Sequence, residues 1–235
     1  MSVTLSELLT EIKEVLQDTS YTDTKLTSKI NAALNAIAGG TRMPNGLIAP
    51  PLPDLFTIGT VTASTSLPYV SLPSDYCRKV TVVADSSGNL ISGPTGGDYY
   101  AFELFIKQAS DLRLAESGSI YRAAVKGTKL YYQGIPTSED TIYLHYFKTP
   151  TTLASDTDIP SCLPAHLQSS LLVHYVLGEI FGAAIEDGQD NRGRGSEYHN
   201  NEFYKAMTDL IDYVGIDASP QYYGDDGFRD YGVCD

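Results

Sequence analysis

Apolar residues near the N-terminus recur at helical spacing in two successive stretches. Thr4 and Glu7 form a capping-box pattern ahead of the first stretch. The second stretch begins near Thr22 or Asp23 and ends at Gly39, since glycine commonly terminates a helix. Each stretch has one apolar stripe and one polar face, so the pattern predicts a helix hairpin docked on a larger body.

The pattern changes after this hairpin. Residues 41–55 contain four prolines, which oppose regular structure and predict an extended connector. Residues 56–150 contain short β-branched and aromatic runs separated by turn sequences at 86–89 and 126–129. Both alternating faces of the last run are partly apolar, which is typical of a small β-barrel or β-sandwich. The segment Asp98–Glu116 interrupts the strands, and we expect one or two short helices there.

Helical periodicity returns at Leu163, with Pro164 in the first turn, and continues to about Ile185. This stretch is apolar nearly all round, so the predicted helix needs cover on most sides, from its own chain or from a neighbouring subunit. Gly178 and Gly182 lie four residues apart on it. They form a flat strip, and we expect another helix to approach it closely at a subunit or partner interface.

A loop is predicted over residues 186–200, ahead of a last helix that contains Phe203 and ends at Val214. The loop contains Arg192 and Arg194 in an acidic surrounding. A phosphate contact, an ion pair with a partner protein and plain solvation are the alternatives that the sequence leaves open for these two arginines.

The last residues, 215–235, are acidic, rich in Gly and Tyr, and too poor in aliphatic residues to build a core. A solubilising tail is one interpretation. The spaced aromatic residues favour another, in which the tail orders as an extended arm on a partner, because aromatic anchors dominate many protein interfaces. These residues are Tyr222, Tyr223, Phe228 and Tyr231.

Together these elements predict an α+β fold. We expect a helical bundle, made of the N-terminal hairpin and two C-terminal helices, with an inserted small β-barrel or β-sandwich. The predicted boundaries are 1–55 for the hairpin and connector, 56–150 for the β-rich insert, 151–214 for the C-terminal helices and 215–235 for the docking tail.

Charge narrows the functional classes. The chain has 29 Asp and Glu against 16 Lys and Arg, a net charge of -13. A basic groove for nucleic acid is therefore excluded as the dominant surface feature. Solubility alone explains an acidic balance, as does a surface that must not hold DNA. No apolar run approaches the roughly 18 residues of a membrane span, and the N-terminus lacks the basic start of a signal peptide. We expect synthesis in a host cytoplasm, with the three cysteines as free thiols.

Candidate metal and catalytic chemistry is weak. Cys162, His166 and His174 share the predicted helix, but zinc takes about four ligands and the nearest further histidine is His199. We interpret these residues as polar groups with partners in a packed helix. The sequence contains no P-loop, GxSxG, HExxH or EF-hand spacing. We therefore expect no catalytic residue, no cofactor and no metal; an enzyme with an unrecognised site remains an alternative.

The order of elements resembles the head–tail adaptor proteins of tailed bacteriophages, also called connector or head-completion proteins. The most specific stretch is Asp156–Phe181, with an acidic loop, Leu-Pro and an apolar helix. Glu197–Ile211 resembles the second helix of that pair, and Tyr143–Leu153 the strand before it. The large β insert departs from the shorter members of this class, so the neighbour that it faces stays open.

This resemblance implies a structural protein of the virion neck. It implies a ring, usually dodecameric, below the portal vertex, which extends the DNA channel and docks the tail. The implied partners are further copies of the chain, the portal protein, and tail nozzle or tail-tube proteins. DNA would pass through a lumen lined mainly by Asp and Glu without specific binding, and no membrane is involved. A β-sandwich receptor- or glycan-binding tail module, suggested by 17 Tyr, is the alternative outside this class.

Overall fold

The computed structural model describes residues 2–44, 46, 48–89, 91, 117–185 and 190–215. The chain divides into two compact units. The helical unit contains Met1–Leu55 and Thr149–Asp217, and the β unit is built on Phe56–Lys148. Helices and antiparallel sheets are both present, which confirms the α+β class.

The N-terminal hairpin forms as predicted. Helix α1 spans Leu5–Leu16 and helix α2 spans Asp23–Gly39. The Thr4 backbone N–H donates to the Glu7 carboxylate over 2.8 Å, and the Glu7 N–H donates to the Thr4 hydroxyl over 3.3 Å. This reciprocal bonding satisfies backbone donors that the first helical turn leaves free. After α2 the connector contains a single short 3-10 turn, Pro53–Leu55, among its described residues.

The long apolar helix, α3, spans Gln168–Ile185, so the predicted start at Leu163 is wrong. Residues before it form separate tight turns, with Leu163 N–H donating to Pro160 O and Leu167 N–H donating to Pro164 O. The buried Gln168 amide donates to the Pro160 and Leu163 carbonyls, each over 3.1 Å. These bonds hold the preceding turns in place and fix where α3 begins.

The last helix, α4, spans Asp190–Val214, so the predicted loop over residues 186–200 is wrong for its second part. Among the described side chains of α4, the buried stripe includes two polar residues, Ser196 and His199. It continues with Phe203 and Met207, so the helical period runs through residues that an apolar pattern omits.

Helix α3 lies at the centre of the helical unit, in contact with α1, α2 and α4. Its buried side chains cover more than one stripe, as predicted for a helix that needs cover on most sides. They are Leu171, Leu172, Val173, Val176, Leu177 and Ile180. The chain itself therefore provides cover from three of its helices.

Among its described residues the β unit has strands β1 at Phe56–Thr62, β2 at Tyr69–Ser71, β3 at Tyr76–Ala84, β4 at Arg122–Lys126, β5 at Lys129–Gln133 and β6 at Thr141–Lys148. They form two three-stranded antiparallel sheets, with orders β1-β6-β3 and β2-β5-β4. The strands do not close into a barrel among the described residues, so of the two predicted forms the barrel is wrong. The predicted helices at 98–116 lie outside the described residues.

Both sheets contribute side chains to one core, among them Ile142 and Leu144 from β6 and Leu130 and Tyr132 from β5. Tyr132 is fully buried, and its hydroxyl accepts a hydrogen bond from Ser64 N–H over 2.7 Å. This bond provides the partner that a buried phenol oxygen requires.

Candidate functional site

Helices α3 and α4 approach each other closely at two glycines of α3. A Cβ atom added to Gly178 would lie 2.5 Å from the Asn200 side-chain oxygen, and one added to Gly182 would lie 3.3 Å from the Ser196 hydroxyl. Ser196 also donates a hydrogen bond to the Gly178 carbonyl over 3.1 Å. The absence of side chains at both glycines therefore lets a polar stretch of α4 lie directly against the backbone of α3.

Another helix thus lies against the strip formed by Gly178 and Gly182, as the spacing predicts, and that helix belongs to the same chain. At Gly195 the roles of the two helices are exchanged, since the glycine belongs to α4 and the neighbouring side chain to α3. A Cβ at Gly195 would lie 3.2 Å from the Phe181 ring. A role for Gly178 and Gly182 in a subunit or partner interface stays a prediction.

A histidine pair lies beside this glycine contact. His174 of α3 and His199 of α4 place their Nδ1 atoms 2.8 Å apart. In the neutral pair one Nδ1–H donates to the lone pair of the other, because a neutral imidazole carries one proton on its two nitrogens. The rings of Tyr198 and Phe181 lie within 5.1 Å and 5.5 Å of the His199 ring, measured between centroids.

Burial lowers the pKa of both histidines, because the charged form loses hydration. The neighbouring His174 lowers the pKa of His199 further, whereas Glu202 acts in the opposite direction on both rings and Glu11 does so on His174. The pair is therefore held in its neutral form down to a lower pH than a free histidine.

Cys162 and His166 lie in the turns before α3 and do not share its helix, which corrects their predicted placement. The Cys162 side chain is buried, and burial raises its pKa to about 11, so the thiol stays protonated near neutral pH and is a poor nucleophile. His166 packs edge-on against the Tyr213 ring, 5.2 Å between centroids. No group of three or more candidate metal ligands occurs in the part of the chain that the structure describes.

The outer face of α4 presents aromatic side chains that the sequence pattern did not single out. Tyr198 and Tyr213 are 57% and 65% exposed. A shallow groove beside Tyr198 has a lining of mixed polar and apolar surface, which includes an ion pair between Lys205 and Glu202 at 2.6 Å. Tyrosine is enriched at protein interfaces, so this face is a candidate contact surface. In the sequence, the signal for this surface was the presence of two tyrosines on the polar side of the helix.

The structure places Arg192 and Arg194 within helix α4, so their predicted position in a loop is wrong. Their side chains lie outside the described part of the structure. The predicted docking residues Tyr222, Tyr223, Phe228 and Tyr231 also lie outside the described residues. A partner contact by any of these six residues stays a prediction.

The sheet β1-β6-β3 has an apolar outward face at its β1 end. Phe56 and Ile58 are 45% and 58% exposed. The Phe56 ring contacts the rings of His145 and Phe147 on β6, with centroids 5.7 Å and 5.6 Å apart. A mostly apolar group at a sheet edge is a second candidate contact surface.

None of the described helices combines the length and the apolar content that crossing a bilayer requires.

No curated protein matches the chain. The family model of the SU10 adaptor protein matches residues 3–227, nearly the whole chain. This match confirms the resemblance to bacteriophage adaptor proteins and identifies a structural component of the virion. The chain therefore belongs to the SU10 adaptor protein family.

Proposed function

We propose that this protein forms the ring that joins the portal to the tail and extends the DNA channel. The ring is a homo-oligomer, a dodecamer, which contacts the portal protein on one side and tail nozzle or tail-tube proteins on the other. Membership of the SU10 adaptor family carries this proposal, because an adaptor must bind virion proteins on two sides. Catalysis plays no part in it.

The charge distribution supports a channel that DNA traverses without binding. Residues 56–148 contain eight Asp and Glu and eight Lys and Arg, so the β region is neutral in sum. The remaining residues contain 21 Asp and Glu and eight Lys and Arg, so the net charge of -13 belongs to the helical regions and the tail. We propose that helical surfaces line the lumen, where acidic side chains repel the DNA backbone over a Debye length of about 8 Å.

The tail, residues 215–235, is the proposed arm that binds the portal. Its four aromatic residues are Tyr222, Tyr223, Phe228 and Tyr231, with aspartates between Tyr223 and Phe228 and between Phe228 and Tyr231. In this proposal the rings fill pockets on the portal, and the arm orders only there, since such ordering costs several kcal/mol.

Portal-bearing heads incubated with purified protein test the proposal. We expect electron microscopy to show a ring of twelve copies on the portal for the full chain. A chain that ends at Val214 should retain its melting temperature and fail to join the heads. A full-length variant with serine at the four aromatic positions keeps the length of the tail and removes only the rings. It should also fail to join the heads.

Each element has its own contradicting result. If truncated chains join heads as well as the full chain does, the proposed role of the arm is contradicted, whereas the proposed ring is not. A ring whose lumen is dominated by Lys and Arg would contradict the proposed repulsion between the channel wall and DNA. A full-length chain that does not bind the portal would contradict the proposed position of the protein in the neck.

A further inference from the structure

The outer strands of the two sheets differ in how their open edges are protected. Strand β3 carries Arg78 and Lys79 and has three register shifts against β6. Strand β2 is only three residues long, and β4 has Arg122 and Lys126 at its ends. Charge, bulges and short length all oppose pairing with a strand of another chain.

Strand β1, the fourth outer strand, has none of these features. Its seven residues, FTIGTVT, include no charge and no proline. Its register against β6 is continuous from Phe56 opposite Phe147 to Thr62 opposite Thr141. Alternate N–H and C=O groups of an outer strand point away from its partner. No residue in the described part of the chain bonds to those groups of β1.

The side chains next to this open edge are apolar and exposed. Phe56 and Ile58 point to the outward face of the sheet, together with Thr60 and Thr62, because alternate residues of a strand share one face. The inward face of β1 is closed at Gly59 by the Tyr146 ring. A further strand would therefore add backbone hydrogen bonds and cover part of Phe56 and Ile58.

Charge indicates which strand fits. The β region is neutral in sum, with eight acidic and eight basic residues in 56–148, whereas the rest of the chain is strongly acidic. Two copies of this protein therefore repel each other least where residues 56–148 of one copy meet the same region of the other.

The sequence of β1 is also compatible with pairing to itself. An antiparallel pair centred on Gly59 places Ile58 of one copy opposite Thr60 of the other, and Phe56 opposite Thr62. All of these residues lie on the outward face of both copies, and the pairing joins two sheets into one of six strands. β-branched and aromatic cross-strand neighbours stabilise such a seam, and no like charges oppose it.

We propose that β1 is a self-association edge, through which two copies of the free protein pair antiparallel about a two-fold axis. A closed ring is built from head-to-tail contacts, whereas a two-fold pair uses the same patch on both copies. The β1 pair therefore belongs to the protein before assembly, when it covers an edge that would otherwise recruit other strands. It opens as copies enter the ring.

Light scattering of the full-length protein over a concentration series tests this inference. We expect a mass that rises with concentration towards twice the 25.5 kDa of the chain. The variant Ile58→Lys places a charge on the edge strand and should raise the dissociation constant about tenfold, equivalent to about 1.4 kcal/mol. Thr60→Lys is a second edge variant with the same expected result. Amide exchange over residues 56–62 should slow with concentration in the native protein and not in these variants.

Tyr143→Lys is the matched control, because Tyr143 lies on the same outward face but on the central strand β6. It should leave the association unchanged. Equal loss of association in Tyr143→Lys and Ile58→Lys would show that copies stack through the sheet face, which contradicts edge pairing. A monomer at every concentration, or an assembly that neither edge variant weakens, also contradicts the proposal.

Discussion

His174 and His199 face each other across helices α3 and α4, with their Nδ1 atoms 2.8 Å apart. That distance has room for one proton between the two nitrogens. A second proton would point two N–H groups at each other, so it must push the rings apart. The contact between α3 and α4 at this point is therefore sensitive to protonation.

We expect the free energy of unfolding to fall as the pH drops from about 7.5 to 5.5. Burial lowers the folded-state pKa of both histidines, so the unfolded chain binds more protons below its ordinary histidine pKa of about 6.5. The stabilisation is complete above that pH and is lost as the pH falls towards the folded-state pKa. Urea unfolding at several pH values measures this loss.

Substitution of one partner tests the assignment to this pair. His174→Gln should flatten the pH dependence of the free energy of unfolding. The same substitution at His166, which packs against Tyr213 outside the pair, is the matched control. Carboxylates with a lowered pKa, such as Asp158 and Glu202, act in the same direction but lose their contribution at lower pH. An unaltered slope in His174→Gln between pH 7.5 and 5.5 would contradict the prediction.

The glycine contact between α3 and α4 predicts unequal effects at its two positions. Gly178→Leu should destabilise the helical unit by on the order of 1–3 kcal/mol, because the new side chain meets Asn200 from its first carbon onwards. Gly182→Ala should be tolerated, since its Cβ meets a single hydroxyl at 3.3 Å and alanine favours a helix more than glycine does. Thermal unfolding of both variants provides the measurement, and equal effects would contradict the geometry.

The Gln133 amide is buried, and among the residues that the structure describes neither its nitrogen nor its oxygen finds a hydrogen-bond partner. Gln133→Leu should therefore stabilise the protein by about 1 kcal/mol, because a buried polar group without a partner carries an uncompensated desolvation cost. Calorimetry of the variant against the native protein measures the change.

Gln168 provides the matched control for that substitution. It is equally buried, but its amide accepts from Val3 N–H over 2.8 Å and donates to two carbonyls. Gln168→Leu should lower the free energy of unfolding by about 1–3 kcal/mol, since its former partners lose their bonds. If Gln133→Leu destabilises the protein to the same degree, Gln133 has a partner such as a bound water.

Gly59 of β1 is required by the ring of Tyr146. A Cβ at Gly59 would lie 2.9 Å from the ring and from its hydroxyl, which donates to the Asp75 carboxylate over 2.6 Å. Gly59→Ala should therefore destabilise the β unit by on the order of 1–3 kcal/mol. When Tyr146→Leu is added, the ring is absent, so Gly59→Ala should cost less free energy of unfolding than it does in the native protein. Denaturant unfolding of the single and double variants checks the coupling, and strictly additive effects would contradict it.

Several elements followed from the sequence because their causes are local. The Thr4 and Glu7 cap, the end of α2 at Gly39 and the turn at 126–129 depend on residues within one turn of each other. Alternating β-branched and aromatic runs likewise predicted the positions of the strands. Local hydrogen bonds and side-chain direction are sufficient to determine such elements.

The start of α3, the N-terminal half of α4 and the pairing of strands were decided by contacts between distant residues. The Gln168 amide oxygen accepts from Val3 N–H, 165 residues away, and Ser196 and His199 extend a buried stripe that no apolar pattern reveals. The same holds for the histidine pair, whose members lie 25 residues apart. A polar side chain can be buried where a partner satisfies it, and that partner is known only once the chain has folded.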